Sequence, residues 1–289
     1  MKLLKSICRG VLIGVANIIP GVSGGTMAVS MGIYDKIIYA VTHIKSDFKK
    51  SMEILIPILI GALLGLVGLS FVIKWLFSNY PMQTNLLFIG LIIGSLPIIT
   101  KNLHGTTIKI REGIVFLIFF GIVVLMPILG SSGGSSVVLH MNPVMMIQMF
   151  FVGVIAAATM VIPGVSGSMV LLILGFYQPV LNTITEFTVS LSKMDTAGIM
   201  RGMYILIPMG IGILIGIVVI AKVIEFLFEN YTAITYCGII GLIVGSPIAI
   251  LFEAKFTDFS VTTIITSVIA LIVGCVIAYF LGGDESKEA

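Results

Sequence analysis

Two short segments of nearly identical sequence carry the residues best suited to bind a ligand. Residues 19–26 read IPGVSGGT, and residues 162–168 read IPGVSGS. A proline followed by a glycine ends a helix, and a serine or threonine is suited to cap the next helix. We therefore predict that each segment interrupts a helix, and we call residues 19–26 the first break and residues 162–168 the second break.

The start of the helix that follows each break is a candidate anion site. The first turn of a helix leaves backbone N–H groups without partners, and the helix dipole makes this end positive. Glycine lets a ligand approach the backbone closely, and hydroxyl side chains add donors. Two such ends facing each other would bind phosphate or carboxylate without a charged side chain. The substrate-binding residues predicted on this basis are Pro20, Gly21, Ser23, Gly24, Gly25, Thr26, Pro163, Gly164, Ser166, Gly167 and Ser168.

Other interpretations of these residues stay open. A cation could bind the carbonyl groups that end the preceding half-helices, at residues 18–20 and 161–163, although an anion is favoured. A Pro-Gly kink without function is a structural alternative, and the presence of a second copy argues against it. Close packing between helices explains a further set of glycines, which are Gly61, Gly65, Gly68, Gly212 and Gly216.

Arg111 and Arg201 are candidates for holding a lipid phosphate at the entrance to the site. Ionisable residues within membrane segments are usually functional, whereas those at helix ends often serve only to anchor the helix at the interface. Both interpretations stay open for each arginine.

The composition indicates that most of the protein surface faces lipid. The chain has 289 residues, of which 58% are hydrophobic and 10% are charged, and its mean hydropathy is +1.20. Soluble domains contain about 25% charged residues. A transmembrane helix needs about 20 apolar residues. Six stretches fit or nearly fit this length: Ile54–Ile73, Thr84–Thr100, Gly113–Leu129, Met203–Ala221, Ala233–Phe252 and Val261–Leu281.

Two further apolar regions, residues 10–41 and 144–185, contain the breaks and each predicts a helix, a break and a second helix. The halves of the chain also match beyond the breaks, for example at Gly32 and Tyr34 against Gly175 and Tyr177. We therefore predict an all-α polytopic membrane protein with two repeats, residues 1–142 and 143–289. Each repeat is predicted to be a re-entrant helical hairpin followed by three transmembrane helices.

The distribution of basic residues predicts the orientation in the membrane. Basic residues at positions 2, 5 and 9 precede the first hairpin, and lysines at positions 45, 49 and 50 follow it. Because basic residues favour the cytoplasmic side, both ends of this hairpin and both chain termini are predicted to be cytoplasmic. Three crossings then bring the second hairpin in from the opposite face. Inverted-topology repeats with broken helices are typical of secondary transporters in the cytoplasmic membrane.

Enzyme chemistry has little support in the sequence. The three histidines, His43, His104 and His140, have no acidic partner at metal-ligand spacing, and the three cysteines form no C-x-x-C pair. The metalloprotease and phosphate-loop motifs are absent, and no basic face suited to nucleic acid is present. We therefore predict a protein that is not an enzyme, with no cofactor and no metal.

The two breaks resemble the signatures of a known family. Residues 20–26 with Gly32-Ile33-Tyr34, and residues 163–168 with Leu174-Gly175 and Tyr177, are similar to the two motifs of the polyprenyl-phosphate transporter family, which is PopT-like. The resemblance covers essentially the whole chain. It implies a flippase that returns undecaprenyl phosphate to the cytoplasmic leaflet for envelope-polymer synthesis. The family commonly has an acidic residue three positions before the first proline, where this chain has Asn17, so Asn17 joins the candidate site.

The resemblance implies a polyprenyl-phosphate lipid as the partner, and the energetics of moving a charged head group favour coupling to protons or sodium. Two other functions stay open at this stage: an ion-coupled transporter of a small soluble anion, and a lipid-phosphate phosphatase. The sequence is also compatible with a homo-oligomer.

Overall fold

The computed structural model describes residues 2–17, 23–103, 108–131, 137–254, 256 and 258–283, and every regular element in these residues is a helix. The helices of the first half are α1 (Lys2–Ala16), α2 (Gly24–Ser30), α3 (Tyr34–Thr42), α4 (Phe48–Leu63), α5 (Ser70–Asn79), α6 (Pro81–Thr100) and α7 (Ile110–Ser131). Those of the second half are α8 (Pro143–Val161), α9 (Gly167–Ile173), α10 (Tyr177–Lys193), α11 (Thr196–Asn230), α12 (Thr232–Glu253) and α13 (Val261–Gly283). A π-helical turn, Leu64–Gly68, follows α4, and a 3₁₀ turn, Lys101–Leu103, follows α6.

Six described helical stretches are long and apolar enough to cross a membrane, which confirms the polytopic class. They are Phe48–Gly68, Ile110–Leu129, Pro143–Val161, Thr196–Asn230, Thr232–Phe252 and Val261–Phe280. Five of them overlap predicted spans. The sixth predicted span, Thr84–Thr100, belongs to α6, whose apolar part is shorter than the others.

The first arm of the first hairpin is longer than predicted. The predicted hairpin, residues 10–41, leaves about 10 apolar residues before the first break, roughly 15 Å of helix. Instead α1 has 15 residues and begins within the basic N-terminal segment. Helix α8 has 19 residues and is about 28 Å long, so it could cross the hydrocarbon core by itself. The depth that each hairpin reaches in the membrane therefore stays a prediction.

Each hairpin also contains a second interruption that was not predicted. Three helices form each hairpin, because a turn separates α2 from α3 and another separates α9 from α10. Gly32 and Gly175 occupy these turns with φ values of 67° and 77°, a left-handed conformation that favours glycine. The second of these turns bends the chain by 110° between α9 and α10. The matched Gly-x-Tyr residues of the two halves therefore mark a turn and the first residue of the next helix.

Helices pack closely at glycine residues. The first long helices of each half pack within their own half, whereas the last two helices of each half pack on those of the other half. Helix α1 packs on α4 and α8 packs on α11, whereas α6 packs on α13 and α12 packs on α7. A Cβ atom on Gly61 would collide with the carbonyl group of Ile7, and one on Gly212 would collide with that of Phe150. Gly65 and Gly216 are similarly enclosed, so the packing interpretation is confirmed for four of the five glycines. It is wrong for Gly68, which has no neighbour within 4 Å among the described atoms.

The ends of α5 and α11 carry the same local structure. The rings of Trp75 and Tyr80 meet edge to face at 5.5 Å, and those of Phe226 and Tyr231 do so at 6.2 Å. All four side chains are exposed, as expected for aromatic residues at a membrane interface. These matched corners support the repeat, while the boundary at residue 142 and the inverted orientation stay predictions.

Candidate functional site

Side chains of the first hairpin accept hydrogen bonds from the backbone N–H groups at the start of α2, after the first break. Ser23 caps α2, because its Oγ accepts a hydrogen bond from the backbone N–H of Thr26 at 3.1 Å. This confirms the predicted cap. The Oδ1 atom of Asn17 accepts a second bond from the backbone N–H of Gly24 at 3.2 Å, and its Nδ2 donates to the carbonyl of Ile13 at 3.1 Å. Asn17 therefore holds the end of α1 against the start of α2.

The two breaks contact each other. The backbone N–H of Gly164 donates to Thr26 Oγ1 at 2.7 Å and lies 3.2 Å from Ser23 Oγ. Gly25 lies against the end of α8, since a Cβ on Gly25 would come within 3.0 Å of the carbonyl oxygen of Val161. Gly164 itself has a φ of 80°, which only glycine adopts without strain. The two breaks are thus in direct contact through hydrogen bonds.

Some of the predicted motif residues at this contact lie outside the residues that the structure describes. Pro163 is fully buried beside Gly164. Pro20 and Gly21, which were predicted to belong to the site, lie outside the residues that the structure describes. The first break contributes Ser23 to Thr26, and all four of these residues are buried.

The second break is more open than the first. Ser166 occupies the N-cap position of α9 but makes no capping bond, and its Oγ lies 3.1 Å from the Oγ of Ser168. None of the residues of α9 is buried. Gly167 faces Thr159, because a Cβ on Gly167 would lie 2.8 Å from the Thr159 hydroxyl. The hydroxyl groups of Ser166 and Ser168 are therefore available to a ligand, together with the first turn of α9.

Two residues at this junction were missed in the sequence. Tyr34 donates a hydrogen bond from its hydroxyl to the carbonyl of Val161 at 3.0 Å, so it ties the start of α3 to the end of α8. Thr159 is buried and donates to the carbonyl of Ala156 at 2.7 Å. The repeated Gly-x-Tyr pattern was a signal for Tyr34. The only signal for Thr159 was a hydroxyl two residues before the end of an otherwise apolar helix.

The two candidate arginines have different surroundings. Arg111 is mostly exposed at the start of α7, and its Nε donates to Glu112 Oε1 at 2.7 Å, so its charge is partly neutralised. Arg201 is exposed on α11 and lines a cavity of about 680 Å³ between α10, the start of α11 and residues 137–141. Arg201 therefore borders a space large enough for a head group.

The arrangement can bind an oxyanion, using hydroxyl groups and backbone N–H groups at the second break. Among the described residues, no group of three or more His, Cys, Asp or Glu side chains could hold a metal ion. The hydroxyl and backbone N–H groups are features of a binding site for a phosphate or carboxylate group. The cavity along α11 adds the guanidinium group of Arg201, and its lining also contains the carboxylates of Glu186 and Asp195.

The fold and the paired breaks define a polytopic membrane protein of the transporter class. The chain belongs to the undecaprenyl phosphate translocase-like family, whose model matches residues 13–263 and, in a second match, residues 203–287. It is 32% identical to the polyprenyl-phosphate transporter of Staphylococcus aureus over 96% of this chain and 95% of that protein. It is 27% identical to the polyprenyl-phosphate transporter of Vibrio cholerae over 85% of this chain and 77% of that protein. No solved structure matches it significantly.

Proposed function

We propose that the protein is a flippase that moves undecaprenyl phosphate, or a closely related polyprenyl phosphate, across the cytoplasmic membrane for envelope-polymer synthesis. The observation that carries the proposal is the similarity to a polyprenyl-phosphate transporter over nearly the full length of both chains. The relatives are named as transporters, and the chain shares their family rather than that of an enzyme.

The second break is the proposed binding site for the phosphate head group. The hydroxyl groups of Ser166 and Ser168 and the backbone of Gly167 are accessible at the start of α9, whereas the equivalent residues of the first break are buried. Hydroxyls and backbone N–H groups bind phosphate oxygens well in a site that is shielded from water. The prenyl tail stays in the lipid, which removes the cost of enclosing it.

Arg201 is proposed to attract the head group before it reaches the second break. Its guanidinium group lines the cavity of about 680 Å³, and an arginine can bind phosphate oxygens through two parallel hydrogen bonds. Arg111 is proposed to have a smaller role, because Glu112 already binds its Nε.

The energetics of transport favour coupling to a cation. A phosphate monoester carries about −1.5 to −2 charges near neutral pH. Moving it inward against an inside-negative potential costs about 2.3 kcal/mol per charge per 100 mV, or roughly 3 to 5 kcal/mol. A leaflet gradient of about three decades would be needed to supply this free energy alone. We therefore propose that protons or sodium accompany the lipid.

A proton carried on the phosphate itself is the simplest form of this coupling. Asn17 cannot titrate, and its side chain is occupied in capping α2. The phosphate has its second pKa near about 6, so a protonated head group is accessible at neutral pH. Inward flux should then fall as the external pH rises, at fixed sodium concentration and membrane potential.

The proposal is tested with purified protein in vesicles that contain a labelled undecaprenyl phosphate. The labelled lipid should move between leaflets faster than in protein-free vesicles, and the phosphate should stay attached to the lipid. Release of inorganic phosphate would instead identify a phosphatase. Uptake of a soluble anion, without lipid movement, would identify the small-anion transporter.

The proposed orientation can be tested in cells with the same protein. We propose that both termini and the segment around Ser46 are cytoplasmic and that the two halves are inverted repeats. A cysteine at Ser46, in a chain without Cys8, Cys237 and Cys275, should react with an impermeant thiol reagent only after the cells are opened. Reaction in intact cells would contradict this orientation.

A further inference from the structure

Three polar contacts join α3 to the second half of the chain at one end of α11. Thr42 donates from its hydroxyl to Glu225 Oε1 at 2.8 Å, and His43 Nδ1 lies 3.2 Å from the same carboxylate oxygen. The hydroxyl of Tyr236 donates to Asp35 at 3.2 Å. These contacts connect α3 with α11 and α12, and we call them the latch.

Other contacts fix α3 in the same position. The ring of Tyr34 packs edge to face on Phe228 with centroids 6.2 Å apart, and its hydroxyl bonds to Val161. The ring of Tyr39 stacks on His43 at 4.3 Å. All seven residues of α2 are buried. The described part of the first hairpin is therefore held to the second half at α3, while α2 is buried mainly against α1 and α6.

Whereas the end of α11 at Glu225 is held by polar contacts with the first half, the opposite end of α11, near Arg201, borders a large cavity. There α10 and α11 enclose part of the cavity of about 680 Å³, whose polar lining includes Gln178, Asn182, Glu186 and Arg201. The hydroxyl groups of α10 donate to carbonyl groups of α10 itself rather than to the first half, as seen at Thr183, Thr185, Thr188 and Ser192. The latch residues border a smaller space, of about 300 Å³.

The latch and the large cavity lie at opposite membrane faces. Arg201 and Glu225 are 24 residues apart on the same helix, which corresponds to about 36 Å. The hydrocarbon core of a bilayer is about 30 Å thick. We call the end of α11 at Glu225 the latch face and the end at Arg201 the cavity face.

We propose that the latch is the gate of the latch face, and that this structure is the state closed at the latch face. The inference rests on the proposed transport function. A carrier must expose one site alternately to each side. Here residues 166–168 of the second break are not buried, whereas α2, which follows the first break, is buried against α1, α6 and α8. The basic residues predict that the latch face is cytoplasmic, so this state would receive the lipid head group from the outer leaflet.

The gate is tested with two hydroxyl deletions that preserve side-chain shape, Thr42→Val and Tyr236→Phe, combined in one chain. Each removes a hydrogen bond to a carboxylate, and the loss of such bonds should raise the population of the opened state about tenfold or more. The control combines Thr188→Val with Tyr279→Phe, which lie on α10 and α13, away from the latch.

The readout is the thiol reactivity of a Ser30→Cys reporter in the chain without native cysteines. Ser30 lies on α2, is 2% exposed and has a hydroxyl without a hydrogen-bond partner among the described residues, so cysteine is a mild replacement. In the latch variant this thiol should react about tenfold faster with a reagent added at the latch face, and no faster in the control. Unchanged reactivity, or equal acceleration from both faces, would overturn the gate.

A cross-link supplies the converse test. Thiols introduced by Thr42→Cys and Glu225→Cys, joined through disulfide bonds by a short bis-methanethiosulfonate reagent, should stop transport of labelled polyprenyl phosphate until these disulfides are reduced. The matched pair Ser260→Cys and Thr263→Cys, whose hydroxyl oxygens are 3.0 Å apart in the native chain, should be linked without this effect. Full transport by the linked latch would overturn the gate.

If even the unlinked protein moves no polyprenyl phosphate while Ser30→Cys still responds to the latch variant, the proposed function fails and the gate stands.

Discussion

The two breaks share the residues IPGVSG, yet the structure places them in different surroundings. The seven residues of α2, after the first break, are all buried, whereas none of the seven residues of α9 is buried. The residues around the shared segment differ as well. Asn17 and Thr26 of the first half, which make hydrogen bonds at the junction, correspond to Met160 and Met169 of the second.

In a symmetric site, both breaks would organise the junction and bind the ligand. Here we propose that these two tasks are divided between the breaks. The first break organises the junction, because Asn17 and Ser23 satisfy the start of α2 and Thr26 holds Gly164. The second break leaves its own hydroxyls exposed at the start of α9. A repeat can thus keep a similar order of helices while one copy becomes structural and the other, as we propose, binds the ligand.

The largest effects should come from placing valine at the equivalent glycines Gly24 and Gly167. A Cβ at either position would lie 2.8 Å from a polar side-chain atom, of Asn17 or of Thr159. Gly24→Val should lower both thermal stability and transport, because α2 is buried. Gly167→Val should abolish transport while the protein still inserts, with a smaller loss of thermal stability because α9 is not buried. Comparable melting shifts for the two variants would remove the proposed division between the breaks.

A smaller effect is expected from deleting single hydroxyl groups on the two sides of the junction. Thr26→Val removes the closer acceptor of the buried Gly164 N–H, and an unsatisfied buried donor costs about 1–3 kcal/mol of unfolding free energy. Ser168→Ala removes an exposed hydroxyl and should leave stability unchanged while it weakens transport. Denaturation of both variants in the same detergent, alongside vesicle transport, measures the two effects. A stable Thr26→Val protein would contradict the role given to this contact.

The arginines extend the comparison to the two ends of the molecule. Arg201→Gln should reduce transport about tenfold, since a hydrogen bond to a charged group is worth about 1.5–3 kcal/mol. Arg111→Gln is the matched control and should have a smaller effect, because Glu112 accepts the bond from its Nε. Initial transport rates at several lipid concentrations would show the difference. The reverse order of effects would place the entrance at α7 instead of at the cavity beside Arg201.

Much of the junction could be predicted from local sequence. Proline followed by glycine and then serine indicated each break and the Ser23 cap, and the repetition indicated that the breaks form one site. The latch could not be predicted, because Thr42 and Glu225 lie 183 positions apart and neither belongs to a motif. The difference in burial between α2 and α9 could not be predicted from the sequence either, because it depends on which helices cover them. Residues that match between the two halves therefore have similar secondary structure but differ in burial.

The smallest change in structure is expected from Asn17→Asp, which places a carboxylate where the resemblance to the family implies an acidic residue. The Oδ1 atom of an aspartate can still accept the bond from the Gly24 N–H, whereas its second oxygen cannot donate to the Ile13 carbonyl and faces it as another acceptor. The negative charge would also lie near the positive end of the α2 dipole, which favours it. Stability should thus change by about 1 kcal/mol or less at neutral pH.

The informative result for this variant is the pH dependence of transport. If the proton travels on the phosphate, native flux falls as the external pH rises and Asn17→Asp keeps the same profile. If the family's acidic residue carries the proton, the variant should gain a second titration that the native chain lacks. Measuring flux from pH 5 to 8 in both proteins, with sodium and potential clamped, distinguishes these outcomes. A native flux that is indifferent to pH, sodium and potential would leave the lipid gradient as the driving force and would contradict cation coupling in this chain.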